Sequence, residues 1–364
     1  MPPGDGFYRF YAAEYSYFSG KVRPALRAKR VPYLELLPTR DAYRNVIRPR
    51  VGFDMIPVVV TPEDATWQDS SEILDGLDAR FPDPPMLPPT PVQRIAAYLT
   101  EIYVDEFLIL VGLHYRWSFP EAAHYAVRDF FAITGDQRGA NRFAEAVQGF
   151  TRMTGVVEET HPAIEAHARD MLATFEELFA AQPFVLGGRP SLADYALIGP
   201  LYAHLYLDAV SGRLLRDTAP LTCHYIERMN HPDPDGWSDW TPGDGLAPAT
   251  RRLLELIGRD AVPMILDLAR AFDEWASTTA MPEGELPRGV GMHATQLRGV
   301  PMQRLTTPYT LWMVQRVLAA FQALSPTERA AVERGLAGTG CEALLAHRPR
   351  HRVARRPFKL YLEA

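Results

Sequence analysis

The sequence predicts a small α/β domain over residues 1–85, an all-α domain over 90–232 and an additional helical extension over 233–364. Three observations carry this reading. Apolar runs in residues 7–80 follow the order strand, helix, strand, proline-bearing strand, strand, helix. The run Pro82-Asp83-Pro84-Pro85-Met86-Leu87-Pro88-Pro89 ends that region as a linker. Beyond Pro91 apolar residues recur at helical spacing almost to the end of the chain.

Each element has its own warrant. Phe7 to Tyr11 is a short aromatic and apolar run, read as a strand. Ser19 to Arg30 places Val22 and Leu26 four apart, with Ser19 as N-cap and Pro24 in the first turn, where proline is tolerated. Tyr33 to Leu37 reads as a second strand, and Arg40, Arg44, Arg48 and Arg50 punctuate a basic loop after it. Ile56 to Val60 is a strand bearing Pro57, at a sheet edge or after a cis peptide. Thr66 to Gln68 makes a short return strand, and Ser70 to Arg80 is a helix with Ile73 and Leu77 on one face.

After the linker, Pro91 to Trp117 reads as one long helix, followed by helices near 121–133, 141–157, 164–181, 191–207 and 220–229. A turn-rich stretch from His231 to Pro248 precedes helices near 249–277 and 308–323, with another within 327–346.

Composition narrows the function. Of 364 residues 47% are hydrophobic, which fits a folded globular protein. The 44 acidic residues outnumber the 38 basic ones for a net charge of -6, so nucleic acid is not an expected partner. Cys223 and Cys341 are the only cysteines and form no CxxC pair or metal-finger spacing, which points to a reducing compartment and no metal. The start, Met1 to Gly6, lacks the regions of a signal peptide, and the longest apolar stretch, Phe107 to Leu113, is too short to span a bilayer. The expectation is a soluble, cytoplasmic protein without a membrane partner.

The strand and helix order is the thioredoxin-like order, and at this point short motifs add a specific resemblance. Ser16-Tyr17-Phe18-Ser19-Gly20-Lys21-Val22-Arg23-Pro24-Ala25-Leu26 is similar to the first loop and helix of cytosolic glutathione transferases, in which a catalytic residue precedes V-R-x-A-L. Ile56-Pro57-Val58 resembles their cis-proline strand, and Gln68-Asp69-Ser70-Ser71-Glu72-Ile73-Leu74 their acid-serine turn and following helix. Ser191-Leu192-Ala193-Asp194 resembles the S/T-x-x-D capping box of their helical domain, and Pro220 to Pro232 their later proline and Arg-Met segment. Five matches in order cover residues 7–232 and leave 233–364 outside the resemblance.

The resemblance implies a fold of thioredoxin-like and all-helical domains, glutathione as co-substrate, a hydrophobic small molecule as second substrate, and a homodimer. Only the glutathione thiolate is a good nucleophile, so a hydroxyl at a helix N-terminus that donates to sulfur has a clear physical use. Ser16 matches the family's serine position, while Tyr15 and Tyr17 are alternative sulfur donors or walls of the electrophile pocket. The resemblance assigns Pro57 and the Ile56 backbone to the peptide part of glutathione, Ser70 to the γ-glutamyl carboxylate and Asp69 to its amine. The alternative for that turn is a simple helix cap by Ser70 or Ser71. Arg40, Arg44, Arg48 and Arg50 are unranked candidates for the glycine carboxylate, and His114, Tyr115 and Trp117 for the substrate pocket or the core.

Two other readings stay open: a non-catalytic member that binds or scaffolds, and a glutathione-dependent disulfide reductase. The second is disfavoured because neither cysteine lies in the first domain. The segment Asp233 to Asp239 fails as a calcium loop at Trp237 and Ser238, and the arginines from Arg348 to Arg356 read as a basic surface strand.

Overall fold

The computed structural model describes residues 6–279 and 284–363, so the expectation about a leader at residues 1–5 lies outside the described residues. The first region builds β1 (Tyr8–Tyr11), α1 (Tyr17–Ala28), β2 (Tyr33–Leu36), α2 (Arg40–Ala42), α3 (Arg48–Val51), β3 (Val58–Val60), β4 (Thr66–Gln68) and α4 (Ser70–Arg80). Its sheet runs β2-β1-β3-β4. α1 carries the chain from β1 into parallel register with β2, Tyr8 opposite Tyr33, while β3 runs antiparallel to both β1 and β4. This is the expected thioredoxin-like sheet.

Local differences from the sequence reading have physical causes. Ser16 caps α1, so the helix begins two residues before Ser19. Pro24 therefore lies inside the helix instead of in its first turn. The basic segment is helical: Thr39 caps α2, a π-helical turn spans Tyr43–Ile47, and Gly52 ends α3 at φ +87°. β3 starts at Val58, after a cis Ile56–Pro57 peptide.

The remaining elements follow in chain order. α5 (Pro91–Tyr103) and α6 (Ile109–Trp117) flank a π-helical turn at Val104–Leu108 within the segment expected as one helix. Then come α7 (Pro120–Thr134), α8 (Gln137–Met153), α9 (His161–Ala181), α10 (Leu192–Pro200), α11 (Ala209–Thr218) and α12 (Pro220–Asn230). The last stretch holds α13 (Pro248–Leu256), α14 (Val262–Thr278), β5 (Met292–Leu297), β6 (Val300–Leu305), α15 (Pro308–Gln322), α16 (Pro326–Leu336), α17 (Glu342–Ala346), β7 (Val353–Arg356) and β8 (Lys359–Leu362).

The extension is thus not wholly helical. β5–β6 and β7–β8 are antiparallel hairpins. Arg298 and Gly299 turn the first at φ +51° and +82°, and its residues alternate exposed and buried.

The described residues gather into two compact units. The first holds those up to Met86 with Tyr115–Gly149 and Asp194–Trp237. In it α1 lies against α10 at closest approach through two glycines: a Cβ on Gly20 would stand 3.0 Å from Gly199 Cα, and one on Gly199 only 2.4 Å from the Tyr17 carbonyl. Ser191 stands just before α10 and Asp194 in its first turn, both fully buried, and the Tyr225 hydroxyl donates to Asp194.

The second unit holds Leu87–His114, Phe150–Ala193 and Ser238 onward. Its α5 is buried on nearly every side, so one apolar stripe does not describe it. The Gln93 amide donates to the carbonyls of Thr241, Gly243 and Gly245, and a Cβ on Gly335 would meet Val92 at 2.8 Å. Behind α5, Tyr103 bonds His167 at 2.8 Å and His167 bonds Asp260 at 2.8 Å, while Arg298 and Arg259 close on the Asp260 carboxylate. No helix among the described residues is long and apolar enough to cross a membrane.

Candidate active site

The loop joining β1 to α1 is held by bonds from four directions. Arg23 forms a doubly bonded ion pair with Glu35 on β2 and donates to the Ala13 carbonyl at 3.2 Å. Ser19, buried in the first turn of α1, accepts from the Ala13 N–H at 3.4 Å. The Tyr15 carbonyl accepts from Arg116 at 3.1 Å, and the Tyr202 hydroxyl donates to Glu14 at 2.5 Å. Ser16 is thereby presented at the N-terminus of α1 without being sealed in.

Ser16 is half-buried, and its hydroxyl oxygen accepts from the Ser19 N–H at 3.3 Å. That bond uses a lone pair, so the hydroxyl proton has no acceptor among the described residues. Tyr15 is arranged differently: its hydroxyl donates to the Asp129 carbonyl at 2.8 Å. Burial, with the Asp129 carboxylate nearby, pushes its ionisation well above that of an ordinary tyrosine. Tyr17 is buried in the first turn of α1, edge-on to the His204 ring. Sequence reasoning left these three open as sulfur donors; of Tyr15 and Ser16, only the serine keeps a proton to give.

At the other helix terminus Asp69 caps α4, accepting from the N–H groups of Ser71 at 2.9 Å and Glu72 at 3.4 Å. The cap is neither Ser70 nor Ser71, because Asp69 reaches back from the preceding position. Its φ of +82° is strained for a residue with a side chain, and such conformations gather at ligand-holding sites. Ser70 is buried in the first position of the helix. Ile56 is half-buried beside Pro57, and its backbone N–H and C=O pair with no backbone group among the described residues.

Among the four arginines, three pair with carboxylates: Arg40 with Asp136, Arg48 with Asp54 and Arg50 with Asp64. Arg44 is exposed and has no partner among the described residues.

The candidate pocket residues separate. Trp117 stacks on Phe130 and packs with Tyr15 against Phe130, Ala140 and Ala144, and its buried indole N–H lacks an acceptor among the described residues. Tyr115 is buried and stacks on Phe119. His114 is buried in the second unit, 3.2 Å from Glu165 and against the His161 ring. Burial and the neighbouring His161 pull its pKa down to about 4. Trp117 and Tyr15 are brought together, and His114 belongs to a polar core cluster.

Arg116, one position before Trp117, escaped the sequence reading. It is buried and binds Asp208 through two bonds, the Ala203 carbonyl and the Tyr15 carbonyl. The only signal available was a lone arginine within an apolar helix, which implies a buried partner. Lys21, also buried, donates to the Ser71 hydroxyl at 2.9 Å.

Both cysteines are buried, and burial raises the Cys341 thiol to about 12, which leaves it no thiolate near neutral pH. No group of three or more metal-ligating side chains among the described residues is arranged to hold an ion.

Comparison with known proteins bears on this geometry. Residues 10–85 match the glutathione S-transferase N-terminal domain, and residues 158–218 match the glutathione S-transferase C-terminal domain. No curated protein sequence matches the chain. Among solved structures, it is similar to a glutathione S-transferase from Methylobacterium radiotolerans in complex with glutathione sulfonate, at 22% identity and TM-score 0.40, covering 66% of this chain and 100% of that one. A glutathione S-transferase from Rhodospirillum rubrum matches at 17% identity and TM-score 0.43, covering 68% and 91%. The β-etherase LigF from Sphingobium matches at 16% identity and TM-score 0.45, covering 68% and 98%. Residues 10–85 and 158–218 thus match the N- and C-terminal domains of glutathione S-transferases, the first of them over the thioredoxin-like sheet described above.

Proposed function

We propose that the protein binds glutathione on its first domain, residues 1–85, and adds the glutathione thiolate to a hydrophobic electrophile. The reading takes residues 90–232 as the helical domain that supplies the electrophile pocket and 233–364 as an extension built onto it. The observation that carries it is the Ser16 hydroxyl: it caps α1 with its oxygen and still has a proton to donate to sulfur. The first N–H groups of α1 add a positive field at the same point, which favours thiolate over thiol. Sulfur then forms the new C–S bond with its electron pair, and the displaced group leaves with the pair of the broken bond.

Pro57 and Ile56 support the peptide part, and Ser70 with Asp69 the γ-glutamyl end, at a helix N-terminus suited to an anion. Arg44, the one arginine of its segment without a partner among the described residues, is the cation for the glycine carboxylate. Tyr15 and Trp117, which pack on the same apolar cluster around Phe130, are the residues this reading gives to the electrophile pocket. Homodimer formation and a cytoplasmic site of action belong to the same reading.

The test is calorimetric titration of wild type and Ser16→Ala with glutathione, alongside the ultraviolet absorbance of thiolate. Binding with a thiolate signal that Ser16→Ala removes supports the assignment and directs an electrophile screen. Glutathione binding with no thiolate signal in the wild type favours a binding or scaffolding member. No binding at millimolar glutathione sinks the glutathione reading.

A further inference from the structure

The turn between α7 and α8 is tied to α2 by one exposed ion pair. Gly135 ends α7 at φ +76°, and the next residue, Asp136, starts α8 by accepting from the Gly139 N–H at 2.6 Å. The other oxygen of that carboxylate lies 2.8 Å from Arg40, the first residue of α2. Gly139 makes the room for this approach: a Cβ there would stand 2.1 Å from the Arg40 Nη2.

The same two segments meet again at Tyr15, the neighbour of Ser16. From α7, the Asp129 carbonyl accepts from the Tyr15 hydroxyl at 2.8 Å, and the Phe130 ring stands edge-on to Tyr15. From the π-helical turn after α2, Tyr43 lies near enough to add to the rise in Tyr15 ionisation that burial and Asp129 cause. Arg40, Asp136, Asp129, Tyr15 and Tyr43 therefore close a ring beside Ser16. Its weakest member is the ion pair, whose side chains are 52% and 46% exposed, because charges paired in water hold only loosely.

We propose that the Arg40–Asp136 pair is a latch that determines the size of the electrophile admitted to the Ser16 site. Closed, it holds α2 against the α7–α8 turn and leaves room for a small group on sulfur. A larger group binds only the fraction of molecules with the latch open, and its apparent affinity falls by that fraction. The proposal rests on the glutathione reading above and concerns only the electrophile side.

The experiment titrates the full chain by calorimetry with S-methylglutathione and S-(4-nitrobenzyl)glutathione, which carry the same charges and differ in the group on sulfur. Asp136→Asn removes the charge and keeps the cap of α8, since asparagine caps as well as aspartate. Gly139→Ala keeps both charges, adds a good helix former and displaces the Arg40 guanidinium. Each variant is expected to lower the nitrobenzyl Kd about two- to fivefold, the scale of an exposed ion pair, and to leave the methyl Kd unchanged. Sodium chloride at about 1 M, which screens charges beyond roughly 3 Å, should narrow the difference between wild type and Asp136→Asn. An unchanged ratio of the two Kd values in Asp136→Asn overturns the proposal, and so does an equal shift of both, which marks a merely structural contact. If circular dichroism shows that Asp136→Asn does not fold, the ratio in Gly139→Ala decides in the same way. A wild type that binds neither ligand removes the glutathione reading itself and this inference with it.

Discussion

Arg116 and Asp208 form a buried ion pair through two bonds of 2.9 and 2.8 Å, and the same guanidinium donates to the Tyr15 carbonyl at 3.1 Å. One buried charge pair thus anchors the backbone next to Ser16. Arg116→Ala leaves Asp208 buried without its counter-charge and is expected to cost roughly 3–5 kcal/mol, read by urea denaturation. The double variant Arg116→Met, Asp208→Leu is expected to regain most of that stability while the tether to Tyr15 stays broken. Its turnover with glutathione should therefore remain low at restored stability.

Ser16 has two duties that substitution separates. Ser16→Ala removes both the cap of α1 and the hydroxyl, and should lower stability by about 1 kcal/mol. Ser16→Gly removes the hydroxyl but caps well enough to cost only a few tenths of a kcal/mol. Both variants are expected to lose the thiolate signal equally, and thermal melts alone should tell them apart. A thiolate signal retained in Ser16→Gly would move the sulfur donor to Tyr17.

His114 links stability to pH. Its folded pKa of about 4 lies below the ordinary value of 6.5, so the unfolded chain takes up the proton first as pH falls. Its contribution is present above pH 6.5 and is lost between 6.5 and 4, up to about 3 kcal/mol. The buried His293, also lowered to about 4, acts in the same window and direction. His114→Phe should flatten part of the fall in stability across that range in denaturation curves taken at each pH.

The extension completes the core of the second unit. Arg316 pairs with the buried Glu101, Thr310 donates to Glu106, and Arg304 donates to the Glu106 carbonyl at 3.0 Å. A chain ending at Trp237 would expose α5 and leave Glu101 and Glu106 without these partners. It is expected to be insoluble or to lack cooperative unfolding, measured by solubility and circular dichroism. A well-folded truncation would refute the dependence.

Much of the first domain was legible because its signals are local. Apolar runs, proline and the V-R-x-A-L pattern report on neighbours within a few residues, and such signals located the strands, α4 and the turn at Asp69 and Ser70. Helix starts were read less well. Ser16 and Ser19 are both good caps by composition, and choosing between them depends on where the Ala13 N–H and Arg23 reach. The β5–β6 hairpin was missed because its alternation uses His293, Thr295 and Gln296 in place of a β-branched run, although Arg298-Gly299 is a fair turn signal.

By itself the sequence determined the resemblance to glutathione transferases, the order of sheet and helices in the first domain, and the residue types at the proposed glutathione site, because propensity and short motifs act over short stretches of chain. Tertiary structure alone decided which charges are buried and what they touch. Lys21, Arg116 and His114 look like ordinary polar residues on helices, yet Ser71, Asp208 and Glu165, their partners, lie 50, 92 and 51 positions away. Burial makes those contacts strong, since a charge withdrawn from water must find its complement wherever the fold brings one.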